Sequence, residues 1–406
     1  MSIEIRYVGP EQTDEFALPI RTAFGLGYSA ERSERSRRLP ELTTRIAAFD
    51  GSEPVGGAGA YAFEFSTPGG GSVPTSGLTM VAVVPTHRRQ GILRKLIQKQ
   101  LEDARDRGQP IAALWATEAP IYGRFGYGLA AFAGDVSIER DRSAFVGSPV
   151  PFTARYVSEA EALERIPRIY QAARGATTCM PSRSTEWWSL RRLLDVESVR
   201  GGSGPLQRVI FQIDGRDEGY ALYRVRLDHK EPQIPHTVVT VQEAIGATPA
   251  GTRAAWRYLC DLDLATTINA TCLPTDHPLF LLLAEPRRMH YRAYDSVFVR
   301  VVDVPRALAA RKYGAEGSLV IEVDDEFCPW NTGRYRLDAA ASHATRTEEP
   351  WDLKVTAQAL GSAYLGGFSF SRLAEAGGVE ARTEGALERA DRMFVAPRSP
   401  FCPEIF

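Results

Sequence analysis

The residues best suited to chemistry lie in one run, Val81-Ala-Val-Val-Pro-Thr-His-Arg-Arg-Gln-Gly-Ile-Leu-Arg94. It reads as a strand, a basic turn with one glycine, and the start of a helix in immediate succession. Backbone N–H groups at a helix N-terminus lack intrahelical acceptors, and the helix dipole favours an anion there. Arg88, Arg89 and Arg94 add positive charge, and Gly91 has no Cβ to keep a phosphate away from the backbone. The arrangement suits a pyrophosphate. The preceding strand can offer N–H and C=O groups to an amide-containing arm, as in strand addition, and pantetheine is such an arm. The two common phosphate fingerprints, G-x-x-x-x-G-K-[ST] and G-x-G-x-x-G, are absent.

The elements that must position this run alternate between strand and helix. A strand is expected over 3–8, then a helix opened by Pro10, with Glu11, Asp14 and Glu15 in its first turns and Phe16, Ile20 and Phe24 at helical spacing. Asp50-Gly51, between apolar runs at 45–49 and 54–65, signals a hairpin. Residues 67–76 read as a loop rich in Gly, Ser and Pro. The apolar strand over 77–84 is expected to be buried on both faces, with a helix over 89–107 and a strand over 111–117 completing a β-α-β unit.

A second region, 153–294, repeats this order without a basic, glycine-bearing turn, and reads as a degenerate copy. Its helix at 159–174 contains Pro167, which should kink or split it. A hairpin follows around Asp214-Gly215, then a strand (237–244), a helix (250–260) and a strand (266–270). A third region opens with a strand at 297–301 and a helix from Pro305. It continues with strands at 318–323 and 333–337, a mixed stretch at 353–360, a short Gly-rich segment at 361–367, a helix at 385–394 and an extended tail. The fold class is therefore α/β with α+β, in domains spanning 1–150, 151–295 and 296–406.

Composition narrows the function classes. At 406 residues the chain is too long for one core, and roughly two to four domains are expected. A formal net charge of −2 supplies no basic field to attract nucleic acid or a membrane. Arg35-Ser36-Arg37-Arg38 reads as a solvated helix face. No charged start leads into an apolar N-terminal run, and no window approaches the roughly 18 apolar residues a membrane span needs. The five cysteines form no C-x-x-C pair and the histidines no H-E-x-x-H, which argues against a zinc site or disulfide framework. A soluble, cytoplasmic, metal-free protein is expected.

Residues 81–94 resemble the acetyl-CoA signature of the GNAT acetyltransferases, with Arg88-Arg89-Gln90-Gly91-Ile92-Leu93 in the Q/R-x-x-G-x-G/A slot. Leu93 is bulkier than the Gly or Ala that many members carry. A closer resemblance is to the Eis (enhanced intracellular survival) family, through Pro85-Thr-His-Arg-Arg and Ile121-Tyr-Gly-Arg-Phe-Gly-Tyr-Gly128. It extends over the whole chain and implies two GNAT modules, a C-terminal domain similar to sterol carrier proteins, and a terminal Phe. It also implies acetyl-CoA as co-substrate, contacted by Val81, Ala82, Val83, Arg89, Gln90, Gly91, Ile92, Leu93 and Arg94, with Thr117 and Glu118 at the end of the next strand. The implied general acid is Tyr122, with Tyr127 as the alternative, and the implied general base is the carboxylate on Phe406.

That chemistry is physically reasonable. A departing thiolate of pKa about 8.5 can be protonated by a phenol of pKa about 10. A terminal carboxylate of pKa about 3.5 is a weak base for an ammonium ion near about 10. It would need partial desolvation, a relaying water, or an amine of lowered pKa. The resemblance further implies small-molecule amine substrates such as aminoglycosides, lysine side chains of proteins, and a homo-oligomer, hexamers in particular. A polyamine site should be acidic. Glu404 is near the terminus, but the penultimate residue is Ile405, where some relatives place an acid. Trp115, before the site, is either an aromatic wall or core. The alternatives are a non-catalytic lipid- or acyl-CoA-binding protein, and transfer of a longer acyl group.

Overall fold

The computed structural model describes residues 3–231 and 234–406. The chain divides into two compact units, one formed by 1–131, 296–400 and 405–406, the other by 132–295 and 401–404.

The first unit begins with β1 (Ile3–Tyr7), α1 (Thr13–Phe24), α2 (Ala30–Arg38), β2 (Leu42–Asp50), β3 (Glu53–Thr67), β4 (Gly71–Val83), α3 (Ile92–Asp106), β5 (Ile111–Trp115) and β6 (Gly128–Leu129). Pro10 opens a single 3-10 turn, and α1 proper starts at Thr13. Its Phe16 and Ile20 are buried, as their spacing requires. The segment read as a loop at 67–76 is mostly strand: β3 and β4 form a hairpin whose register runs to Thr67↔Gly71, leaving only Pro68-Gly69-Gly70 as the turn. Gly69 and Gly70 both take positive φ, 85° and 82°, which a tight turn demands and glycine tolerates. Helix α3 buries Ile92, Leu96, Ile97, Leu101 and Ala104 at helical spacing against Ile46, Val55, Leu78 and Leu114.

The second unit contains β7 (Phe132–Glu139), β8 (Thr153–Tyr156), α4 (Glu159–Ala176), β9 (Gln207–Ile213), β10 (Arg216–Glu231), β11 (Ile234–Gly246), α5 (Pro249–Cys260), β12 (Ala265–Leu273) and β13 (Arg292–Asp295). They form one sheet in the order β13-β7-β12-β11-β10-β9-β8. The parallel pair β11 and β12, with α5 between them, is the β-α-β unit expected of a second copy. Strand β7 belongs to this sheet although its residues precede 150. Helix α4 is continuous through Pro167, so the proline does not split it. A Ser158/Glu161 capping box fixes its start, and Ala162, Ile166, Ile169 and Tyr170 bury both halves, which offsets the one hydrogen bond proline removes.

The chain then returns to the first unit with β14 (Val297–Val301), α6 (Val304–Ala309), β15 (Ser318–Asp324), β16 (Gly333–Asp338), β17 (His343–Arg346), β18 (Leu353–Thr356), α7 (Ala357–Tyr364), α8 (Phe370–Glu375), β19 (Val379–Ala381) and α9 (Ala386–Phe394). Strand β14 inserts between β5 and β6, giving a sheet of order β1-β2-β3-β4-β5-β14-β6. A five-stranded sheet, β17-β16-β15-β18-β19, carries the remaining elements. The Gly-rich stretch at 361–367 is partly helix: Gly361 lies inside α7, where a Cβ would collide with the Val299 carbonyl. Its absence lets α7 rest directly on β14. Among the described residues no helix is long and apolar enough to cross a membrane.

Candidate active site

The first sheet opens where its two parallel strands part. Strands β4 and β5 pair only over Thr75↔Ile111, Ser76↔Ala112 and Gly77↔Ala113, yet β4 continues to Val83. Over that extension β4 keeps its partner β3 on one edge, through Gly57↔Ala82 and Gly56↔Val83. Its other edge is left with backbone groups free of any strand. A bulge marks the bend. Between Gly59↔Thr79 and Gly57↔Ala82, two residues of β4, Met80 and Val81, oppose Ala58 alone, and Met80 takes a φ of 52°. The expectation that this strand is buried on both faces fails here, because Val81 and Val83 are half-buried against the opening.

A cleft of about 730 Å³ fills the gap. Of the residues assigned to cofactor contact, Val81, Ala82, Val83, Arg89, Gly91, Ile92, Leu93, Arg94, Thr117 and Glu118 line it. Gln90, exposed on the turn, is outside the lining. Ala23 and Phe24 from the end of α1 and His87 from the turn also line it, unanticipated by sequence reasoning. Phe24 shares the helical spacing of the buried Phe16 and Ile20, but 47% of its surface is exposed. Trp115 is half-buried at the end of β5 and does not face the cleft.

The turn explains why α3 starts at Ile92 rather than 89. Arg89 has a φ of 63° and Gly91, the N-cap, a φ of 79°, so the chain cannot be helical before Ile92. Gly91 offers no capping side chain, and the first helical N–H to find an acceptor is that of Lys95, bonding to the Gly91 carbonyl at 3.2 Å. The amides of Ile92, Leu93 and Arg94 thus end the helix without intrahelical acceptors, beside Arg88 and Arg89. The His87 ring is held from both nitrogens, by Thr86 at 2.8 Å and Asp50 at 3.4 Å. Arg94 spreads its guanidinium over the Phe327 ring at 4.9 Å.

The structure separates the two candidate tyrosines. Tyr122 lines the cleft. Burial, with a smaller contribution from Glu118, pushes its phenol up to about 12. Tyr127 packs edge-on behind it, 5.9 Å between ring centroids. Tyr127 is buried, its pKa is raised by that burial, and its hydroxyl donates to Gln100 Oε1 at 3.4 Å. It is outside the cleft lining.

Phe406 is outside the cleft lining, and its ring packs beside the last pair joining β4 to β5. Its ring is 5.2 Å from that of Phe63 and 6.0 Å from that of Phe65, in edge-on contacts. Phe406 Cε2 is 3.3 Å from the point a Cβ on Gly77 would occupy, and Gly77 belongs to the last pair joining β4 to β5.

Glu404 is not an acid for a polyamine. It belongs to the second unit, 2% exposed, and its Oε1 accepts from Trp187 Nε1 at 2.9 Å and Arg192 Nε at 2.7 Å, with Arg183 Nε at 2.6 Å. Burial alone would raise its carboxyl, but Arg183 and Arg192 hold it down at about 2. Its charge is already neutralised inside the unit.

Residues 4–130 and 179–301 each match families described as acetyltransferase (GNAT) domains, and 304–403 match a sterol carrier protein domain. The chain is 40% identical over 391 residues to an uncharacterized N-acetyltransferase of Streptomyces avermitilis, covering 95% of each. It is 33% identical over 368 residues to N-acetyltransferase Eis of Mycobacterium tuberculosis, covering 87% of this chain and 86% of that one. The crystal structure of Eis1 from Mycobacterium abscessus superposes with a TM-score of 0.86 at 32% identity, covering 99% of this chain and 100% of the other.

Proposed function

This chain belongs to the Eis family of GNAT N-acetyltransferases, and from that premise we propose that it moves the acetyl group of acetyl-CoA to primary amines by direct attack, with Tyr122 as general acid and the Phe406 carboxylate as general base. The acceptors are primary amines of the aminoglycoside or lysine side-chain type. One observation carries the reading: Tyr122 opens onto the same cleft as the uncapped N-terminus of α3.

The residues present fit acetyl-CoA as co-substrate. The free amides of Ile92, Leu93 and Arg94, with Arg88 and Arg89, suit its pyrophosphate. The unpaired edge of β4 beyond Gly77 suits the amides of its pantetheine arm, and the cleft volume admits that arm. As the amine nitrogen bonds to the acetyl carbon, the carbon–sulfur bond breaks and Tyr122 gives its proton to the departing sulfur. The Phe406 carboxylate takes the proton the amine sheds. The rings of Phe63 and Phe65 hold Phe406 beside the point where the strands diverge.

The test is amine-dependent release of thiol from acetyl-CoA, measured over a panel of amines. Removing Phe406, or replacing it with Ala so that the carboxylate remains without its ring anchor, is expected to lower turnover by about 10²-fold, the size of a lost base. Unchanged turnover in both variants would rule out the Phe406 assignment.

A further inference from the structure

A second contribution from the C-terminal part of the first unit is visible beneath the cleft, in the loop 325–331 that follows β15. Phe327, 6% exposed, stands between the two catalytic walls. On one side its ring is 5.0 Å from that of Phe125, three residues after Tyr122. On the other it carries the Arg94 guanidinium, 4.9 Å above its centroid, in the first turn of α3. Both neighbours line the cleft, and Phe327 is in contact with both.

The loop itself is immobilised. Asp325 is buried, accepting from Arg300 Nη2 at 2.7 Å, from the Cys328 amide at 2.9 Å and from Asn331 Nδ2 at 3.1 Å. Trp330 Nε1 donates to the Val302 carbonyl at 2.9 Å. The Tyr122 turn is braced from the same direction. Gln358 Nε2 donates to the Gly123 carbonyl at 2.7 Å, and Gly126 sits so close to Arg300 that a Cβ would lie 2.8 Å from its Cζ. The turn itself is two short 3-10 turns, Ala119–Ile121 and Gly123–Phe125, meeting at Tyr122, and its own backbone hydrogen bonds are local, such as Phe125 N–H to the Tyr122 carbonyl at 3.0 Å.

The geometry points to Phe327 as a positioning residue: it fixes the distance between the general-acid turn and the cofactor-binding end of α3, so that the Tyr122 hydroxyl meets the sulfur of a bound thioester. This rests on the function proposed above and goes beyond it, because the sterol-carrier-like segment then acts on the acid and the cofactor turn as well as through Phe406. Truncating Phe327 should release Arg94 from its ring and let the Tyr122 turn drift. Misplacement by about 1 Å is enough to cost a large factor in rate.

The experiment is a double-mutant cycle with an independent binding measurement. Phe327→Ala, and Phe327→Leu as a variant that keeps an apolar core, are each combined with Tyr122→Phe. Acetyl-CoA affinity is measured by calorimetry, and Leu101→Ala, in the same core but remote from both turns, is the control. Expected are an acetyl-CoA affinity weakened about 10-fold in Phe327→Ala and less in Phe327→Leu, with Leu101→Ala unchanged. Tyr122→Phe should cost about 10²-fold in the parent but under about 10-fold in the Phe327→Ala background, because the acid is already displaced. An acetyl-CoA affinity that Phe327→Ala does not change would overturn the inference, whatever the activity. So would a Tyr122→Phe penalty equal in both backgrounds. A parent enzyme that binds acetyl-CoA but turns over no amine would instead contradict the proposed function, and the affinity of Phe327→Ala would still decide this point.

Discussion

Tyr122→Phe is expected to reduce amine-dependent turnover by about 10²-fold or more, the range for losing a positioned general acid. Only the hydroxyl is removed, so the ring's edge-on contact with Tyr127 survives and acetyl-CoA binding should change little. Tyr127→Phe is the control, with a small effect expected because that hydroxyl is buried on Gln100 and faces no cleft. The pH dependence follows from the raised pKa of Tyr122. A phenol pushed up to about 12 keeps its proton across the whole assay range. The rate should therefore rise with pH as the amine substrate, with a pKa near about 10, loses its proton. No falling limb should appear until pH approaches about 12, where Tyr122 itself ionises. A falling limb centred between pH 8 and 10 would indicate a different acid. Full activity in Tyr122→Phe would remove Tyr122 from the mechanism.

Asp325→Asn is expected to give the largest loss of stability. Asp325 and Arg300 are each 1% exposed on their side chains and meet at 2.7 Å. Removing one partner strands a buried guanidinium, which costs about 3–5 kcal/mol. At about 2–4 °C per kcal/mol for a large domain, Tm should fall by at least about 6 °C. Adding Arg300→Met to Asp325→Asn should recover much of the loss, because no unpaired charge remains and an amide oxygen can still accept from the Cys328 N–H. Thermal melts of the three proteins check this. A single variant as stable as the parent would show that the pair does not hold the loop.

The strand, turn and helix start proposed to hold the cofactor were legible because their pattern is local. A strand, a basic turn and an uncapped helix start occupy fourteen consecutive residues, 81–94, and the β-α-β unit around them follows from periodicity alone. Tyr122 was legible only through the resemblance of its motif; its neighbour Tyr127 has the same composition around it, and the cleft is what tells them apart. Pairings between distant segments were not legible. Val297–Val301 reads correctly as a strand, but nothing in it says that it joins β5 some 180 residues earlier. The bulge at Met80 and Val81 left no signal either, since it arises from register against Ala58 and from no turn residue. Glu404 was misread for a related reason: an acid near the terminus looks available until Arg183 and Arg192, some 200 residues away, are seen to neutralise it. Phe327 belongs to no motif and no periodic run in the sequence. Its position between Arg94 and Phe125 belongs to the tertiary structure alone.

If the cleft between β4 and β5 transfers an acetyl group to an amine, thiol and acetylated amine must form together. The most direct measurement is the stoichiometry of one reaction, with released thiol and acetylated amine quantified together, the amine by its mass. One acetylated amine is expected for each thiol released, and no thiol release when the amine is omitted. Tight acetyl-CoA binding with neither product, or thiol release without any acetylated amine, would contradict acetyl transfer to an amine.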